Sequence, residues 1–207
     1  MDYKNLYKRS LISFFFIFLY SFITYLNFAY IFYLIILIYF LIFFEIYLYF
    51  IKYRIFIILY LLISLGFLIN IEFNYDNLLK FNLMIVSVIS FDTFSYLIGN
   101  LYGKNKILSV ISPKKTLEGL VGGFIFSILF SIIYLLIFNY NYNYLDLIFV
   151  ILIIISSFIG DVLESIFKRL NDLKNSSNFL SSHGGFFDRF DSFILCIIIY
   201  SLYETIV

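Results

Sequence analysis

The segment Gly160-Asp-Val-Leu-Glu-Ser-Ile-Phe-Lys-Arg169 sets two carboxylates, a hydroxyl and two cations into a run that is otherwise apolar. At helical spacing Asp161, Ser165 and Lys168 fall at i, i+4 and i+7, with Glu164 beside them at i+3, so the four form one polar stripe. A carboxylate stripe turned toward the interior of a bundle is a cation site in prospect. The plainer reading is a Glu164 to Lys168 helix pair, worth a few tenths of a kcal/mol. That pair leaves Asp161 unexplained.

A second acidic element follows in His183-Gly-Gly-Phe-Phe-Asp-Arg-Phe-Asp191. The glycine pair opens backbone conformations closed to other residues and lets the chain approach a ligand closely. Asp188 and Asp191 are three apart and share a face if a helix begins near Phe187. With Asp161 they would offer hard oxygen ligands to Mg2+, which takes a few carboxylates, waters and substrate phosphates. His-Gly-Gly alone is a weak pattern, since a lone His is usually a loop or packing residue, but joined to Asp-Arg-x-Asp it is much stronger. A third element is Ile111-Ser-Pro-Lys-Lys-Thr-Leu-Glu-Gly119. Ser112 as N-cap and Pro113 as first helical residue predict a helix starting there. Lys114 and Lys115 would then sit in a first turn whose dipole disfavours cations, a conflict that a bound phosphate would resolve. Two solvated or headgroup-facing lysines are the alternative.

These elements must be carried by membrane helices. The chain of 207 residues is 63% hydrophobic and 13% charged, against ~45–50% and ~25% in soluble domains. A formal net charge of +1 excludes a nucleic-acid binder that works by bulk positive charge. The single cysteine, Cys196, excludes a disulfide framework or a zinc finger and reads as packing. Seven segments reach the length of about 20 apolar residues that a span requires: near 10–26, 29–50, 55–70, 81–98, 120–138, 146–165 and 190–206, with the first reversal at the polar dip Thr24 to Asn27. No small-residue cleavage site follows the first run, so it is expected to be retained. The expected fold class is therefore an all-α polytopic membrane bundle. Residues 1–80 would supply packing and part of a lipid-facing groove, and residues 81–207 the catalytic region with two long loops, 99–119 and 166–189.

Basic residues favour the cytoplasmic side. Alternate sides place Lys4, Lys8, Arg9, Lys52, Arg54, Lys104, Lys106, Lys114, Lys115, Lys168, Arg169, Lys174 and Arg189 together, thirteen of the 14 cations, and leave Lys80 opposite. The N-terminus and both long loops are thus predicted to be cytoplasmic. Acids inside spans cost about 2.5–3.5 kcal/mol each even on the lenient insertion scale and ask for a reason. Asp92, Asp161, Glu164 and Asp191 all fall at the cytoplasmic edge of their spans. They are either interfacial residues reaching water or parts of one site.

The combination resembles the phosphatidate cytidylyltransferases, the CDP-diacylglycerol synthases. Ser165-Ile-Phe-Lys-Arg169, then Lys174, then His183-Gly-Gly-x-x-Asp188-Arg-x-Asp191 is similar to that family's C-terminal signature, and Gly160-Asp161, Ser112-Pro-Lys-Lys-Thr-x-Glu-Gly119 and Asp92-Thr-x-x-Tyr96-x-x-Gly99 resemble its other landmarks. The matches run in family order over residues 92–191. Two positions depart from the pattern: Asn175 stands where the family usually has Asp, and Ser181 where it usually has Pro or Gly. The chain is also shorter than typical bacterial members, which suggests a reduced member.

The resemblance implies transfer of a cytidylyl group from CTP to phosphatidate, giving CDP-diacylglycerol and pyrophosphate, in a bacterial-type plasma membrane with the site facing the cytoplasm. It implies Mg2+ on Asp161, Asp188 and Asp191, with room for a second cation. Lys168, Arg169, Lys174 and Arg189 would hold phosphates, as would Ser112, Lys114, Lys115 and Thr116, with Ser165 among the substrate-binding residues. His183, Gly184 and Gly185 would shape the nucleotide loop, and Asp92 and Glu118 would orient lysines or metal-bound water. A homodimer is the assembly the family suggests. Within enzymes the rivals are a CTP-dependent lipid-alcohol kinase and a CDP-archaeol synthase. In a different class stands a small transporter, whose acids would be expected near the midplane rather than at one edge.

Overall fold

The computed structural model describes residues 18–109, 111–139, 143–180 and 184–206. Among them are seven helices and one small hairpin: α1 (18–26), α2 (Tyr30–Tyr49), α3 (Arg54–Ile69), α4 (Tyr75–Tyr102), β1 (Lys106–Leu108), β2 (Ser112–Thr116), α5 (Leu117–Ile137), α6 (Tyr144–Leu170) and α7 (Phe187–Ile206). The break between α1 and α2 at residues 27–29 falls at the polar dip, where the Asn27 side chain accepts the Ala29 N–H. Four helices are long and apolar enough to cross a membrane: Tyr30–Tyr49, Asn77–Tyr102, Leu117–Ile137 and Tyr144–Leu170. The sixteen residues of α3 are apolar but shorter than the length a span requires.

Helix α4 packs on α5 and α6 on α7, with α3 against α7 and α4 against α6. The shared core is aliphatic and aromatic: Ile42 and Ile46 of α2, Leu61 of α3, Met84 and Val88 of α4, Ile153 of α6, Ile194 and Tyr200 of α7. Cys196 belongs to it and is fully buried. Small polar groups join the helices where no water could: Ser87 and Ser131 hydroxyls lie 2.8 Å apart, Ser127 donates to Ser87 O (2.7 Å) and Ser64 to Ile194 O (2.6 Å), the usual means of holding helices together in lipid. The outer faces of α2 and α5 expose Leu37, Phe40, Phe44, Ile125, Leu129 and Ile133. Such continuous apolar surface suits hydrocarbon better than water.

Two helices are longer than a bilayer's hydrocarbon layer is thick. At 28 and 27 residues, α4 and α6 are about 42 and 40 Å long against a hydrocarbon layer of ~30 Å. The acidic ends predicted at span edges are thus carried on continuous helix.

The segment 112–116 corrects one expectation. No helix starts at Ser112; Ser112–Thr116 is a strand paired antiparallel with Lys106–Leu108, with Lys106 opposite Thr116 and Leu108 opposite Ser112. Pro113 is tolerated because this two-stranded sheet consists of edges only. The N-cap of α5 is Thr116, whose side chain accepts the Gly119 N–H at 3.1 Å, and Glu118 fills the first turn where an acid is favoured. Lys114 and Lys115 therefore never enter a helix, and the supposed conflict with its dipole does not arise.

Candidate active site

One end of the α6/α7 pair collects the acids. Gly160 makes the approach possible, since a Cβ there would stand 2.7 Å from Asp191 O and 3.1 Å from Ser192 Cα. With the backbones this close, Asp161, Glu164 and Asp191 each present a carboxylate oxygen within 4.8 Å of the others. Glu164 is only 1% exposed, and its Oε1 has no hydrogen-bond partner among the described residues. An unpartnered buried carboxylate oxygen among two further carboxylates is a poor arrangement for a protein alone and a good one for a hard cation.

Cations flank this group on two sides. Lys115 reaches in from β2, its Nζ 2.7 Å from Asp161 Oδ2 and 4.6 Å from the Phe158 ring centroid. Lys168 stands between two acids, 2.5 Å from Glu164 Oε2 and 2.7 Å from Asp188 Oδ1. The helix pair Glu164 to Lys168 is therefore real, but only as one edge of a larger network. Asp188 is held further by Ser176, whose N–H and hydroxyl both donate to Oδ2 at 2.8 Å, and by the Gly185 N–H at 2.9 Å. The preceding turn uses Gly184 at φ +80°, a conformation costly for any residue with a side chain.

Next to the acids lies a cavity of about 240 Å3, lined among others by Asp92, Ser112, Lys114, Lys115, Thr116 and Asp161. Three separate stretches of sequence meet here because α4 and α5 pack tightly: a Cβ on Gly119 would come within 2.6 Å of Ser95 O. Asp92 is exposed and stands in the wall of this cavity. A larger cavity of about 380 Å3, almost wholly apolar, lies between α1, α2, α4 and α7, with Ile35, Ile42, Met84, Phe193 and Ile197 in its walls.

Other sequence-level candidates lie around this centre. Arg169 is exposed and donates to Ile111 O (3.2 Å) and Leu173 O (3.1 Å), tying the end of α6 to the hairpin loop. Lys174 and Arg189 are exposed. Ser165 is buried on α6. Glu118 accepts the N–H groups of Lys104 and Asn105 and the Asn105 amide, so it holds the backbone that enters the hairpin. His183 and Ser181 lie outside the described residues, as do Lys4, Lys8 and Arg9. The loop after α6 is latched to the α2/α3 turn by Asn171, which accepts from Ile51 N and Lys52 N and donates to Lys52 O. The exposed Lys52–Asp172 pair at 2.8 Å lies beside it, and its hydrogen bond and charge hold the lysine above its ordinary pKa.

A family model described as the cytidylyltransferase family matches residues 10–207. The chain belongs to the cytidylyltransferase family. It is 46% identical over 105 residues to the phosphatidate cytidylyltransferase of Staphylococcus saprophyticus, 50% of this chain and 40% of that protein. The phosphatidate cytidylyltransferases of Staphylococcus haemolyticus and Staphylococcus aureus match over the same shares at 44% and 41% identity. The match thus spans half of this chain and well under two thirds of each relative. It agrees with the resemblance read from the order of the motifs.

Two residues of the site escaped the sequence reading. Ser176 is fully buried and gives Asp188 two of its hydrogen bonds, yet a serine in a polar loop carries no signal of its own. Glu45 is fully buried in α2 and accepts the Phe186 and Phe187 N–H groups. Its signal was present, an ionisable residue closing a long apolar run, and the rule applied to Asp92 and Asp161 would have found it.

Proposed function

We propose that this chain transfers the cytidylyl group of CTP to phosphatidate, forming CDP-diacylglycerol and releasing pyrophosphate. The observation that carries the reading is the group Asp161, Glu164 and Asp191, flanked by Lys115 and Lys168, in a chain of the cytidylyltransferase family. A phosphate oxygen of phosphatidate attacks the α-phosphorus of CTP, and the bond from that phosphorus to the oxygen bridging to the β-phosphate breaks. The nucleophile is already anionic, so no strong general base is needed. Repulsion between two anions and the charge gathering on pyrophosphate are the obstacles.

Asp161, Glu164 and Asp191 would hold Mg2+. Asp188, also expected as a ligand, is joined to this group through Lys168, whose ammonium pairs with both Glu164 and Asp188, and would be a further carboxylate able to hold a second cation. Bound there, Mg2+ supplies Lewis-acid stabilisation of phosphoryl oxygens. Lys114 and Lys115, with Ser112 and Thr116, line the smaller cavity beside Asp161 and would bind the nucleotide phosphates. Arg169, Lys174 and Arg189 would gather phosphates at the exposed rim, and His183, Gly184 and Gly185 would border the nucleotide. The apolar cavity beside α7 supports a lipid-facing role for the first helices, since Phe190 and Ile194 line it while Asp191 between them joins the acids.

The proposal places seven spans in a plasma membrane, with the N-terminus and the site on the cytoplasmic side, where CTP in water meets a phosphate whose tails stay in lipid. The one-sided distribution of thirteen of the 14 cations supports it. A homodimer is proposed with it, and light scattering in detergent tests that. The decisive experiment incubates the purified protein with labelled CTP, Mg2+ and phosphatidate and identifies both products. Pyrophosphate with a CDP-lipid supports the reading. CDP with a newly phosphorylated lipid alcohol indicates a kinase, and ion flux in proteoliposomes without CTP turnover indicates a transporter.

A further inference from the structure

Glu45 is the only acid of α2 and is fully buried. A buried carboxylate costs several kcal/mol unless hydrogen bonds or charges offset it. Here Oε2 accepts the Phe186 N–H at 2.7 Å and the Phe187 N–H at 3.3 Å. These are among the amide groups that the first turn of α7 leaves without intrahelical partners, and neither Phe186 nor Phe187 has a side chain that could cap them. The negative charge also lies at the helix end that favours it. Oε1 points at the glycine turn: a Cβ on Gly185 would collide with both Glu45 Oε1 and Ser176 Oγ. Ser176 in turn holds Asp188, which accepts the Gly185 N–H and pairs with Lys168.

We propose that Glu45 is a positioning residue that caps α7 from another helix and thereby sets where Asp188 and Asp191 stand relative to Asp161 and Glu164. Glu45 acts on the same site as the proposed cytidylyl transfer and rests on that reading for its purpose, while touching no substrate itself. It gives the motif-poor first helices a share in the metal-binding geometry. A merely structural cap would lower stability and leave the cation affinity of the folded protein unchanged.

The test measures Mn2+ binding to the purified full chain by electron paramagnetic resonance, alongside thermal unfolding in detergent and CTP turnover. Glu45→Ala is expected to fold and to bind Mn2+ about 10–100-fold more weakly, the range lost when a group that orients metal ligands is removed. Glu45→Gln keeps one acceptor oxygen for the two N–H groups and is expected to recover most of that affinity. If Glu45→Ala does not fold, Glu45→Gln and Glu45→Ser are compared, and an affinity that falls with the loss of the acceptor supports the proposal. Folded variants with wild-type Mn2+ affinity overturn it, as does a wild-type protein that binds no Mn2+. A wild-type protein that binds Mn2+ without turning over CTP overturns the cytidylyl-transfer reading and leaves the positioning of the cation site standing.

Discussion

Near its start α6 buries Asp146, 2% exposed, with Oδ2 accepting the Asn143 N–H at 2.8 Å in a capping box and Oδ1 accepting the Tyr203 hydroxyl at 2.5 Å. Near its end the same helix buries Glu164 just as deeply, with one oxygen against Lys168 and the other without a hydrogen-bond partner among the described residues, two more carboxylates close by. Burial is equal at the two ends, so burial does not distinguish a structural acid from a site acid. The difference is unmet bonding. Asp146 is satisfied by the protein itself, whereas the Asp161, Glu164 and Asp191 group, though flanked by Lys115 and Lys168, keeps three carboxylates together and a buried Glu164 oxygen without a hydrogen-bond partner among the described residues.

The comparison can be broken most sharply at Asp161. Asp161→Ala should lower CTP turnover by on the order of a hundredfold or more, as loss of a group that stabilises developing charge does, with membrane insertion unchanged by fractionation; full activity would remove Asp161 from the site. Glu164→Gln keeps the shape and removes the charge. It should weaken Mg2+ activation by about 10–100-fold, read as a shift in half-activating Mg2+ concentration, and an unchanged Mg2+ profile would make Glu164 no different from Asp146. The other end should respond in stability alone. Asp146→Asn unbalances a buried hydrogen-bonded pair and should cost about 1–3 kcal/mol, and Tyr203→Phe about 1 kcal/mol, in detergent melts, each with wild-type turnover per folded molecule. The smallest effect is expected from Asn175→Asp. The side chain is exposed, so turnover should hardly move; a large gain would show that a carboxylate there extends the acidic group.

How much of this was legible beforehand differs between helix and loop. The polar stripe Asp161, Glu164, Ser165 and Lys168 could be read directly, because helical periodicity alone determines which residues share a face. The helix break near Asn27 was readable for a similar reason, a polar dip inside an apolar run. The hairpin was not. Ser112-Pro113 carries a sound helix-start signal, and the competing strand depends on Lys106–Leu108, a partner that no local rule identifies. Glu118 shows the same limit, since its partners Lys104 and Asn105 lie across the hairpin.

Composition and spacing by themselves determined that the chain is built of apolar helices, several long enough to cross a membrane, with a polar stripe on one of them, because the length of an apolar run and the period of a helix are local properties. The family signature was likewise written in order along the chain. Only the tertiary structure decided that Glu164 joins Asp161 and Asp191, that Lys168 and Ser176 claim Asp188, and that Glu45 reaches the start of α7. Those contacts join residues up to 142 positions apart. The first of them exists because glycine at 160 lets the α6 and α7 backbones close to within a side chain's width of each other, a distance that nothing in the order of residues specifies.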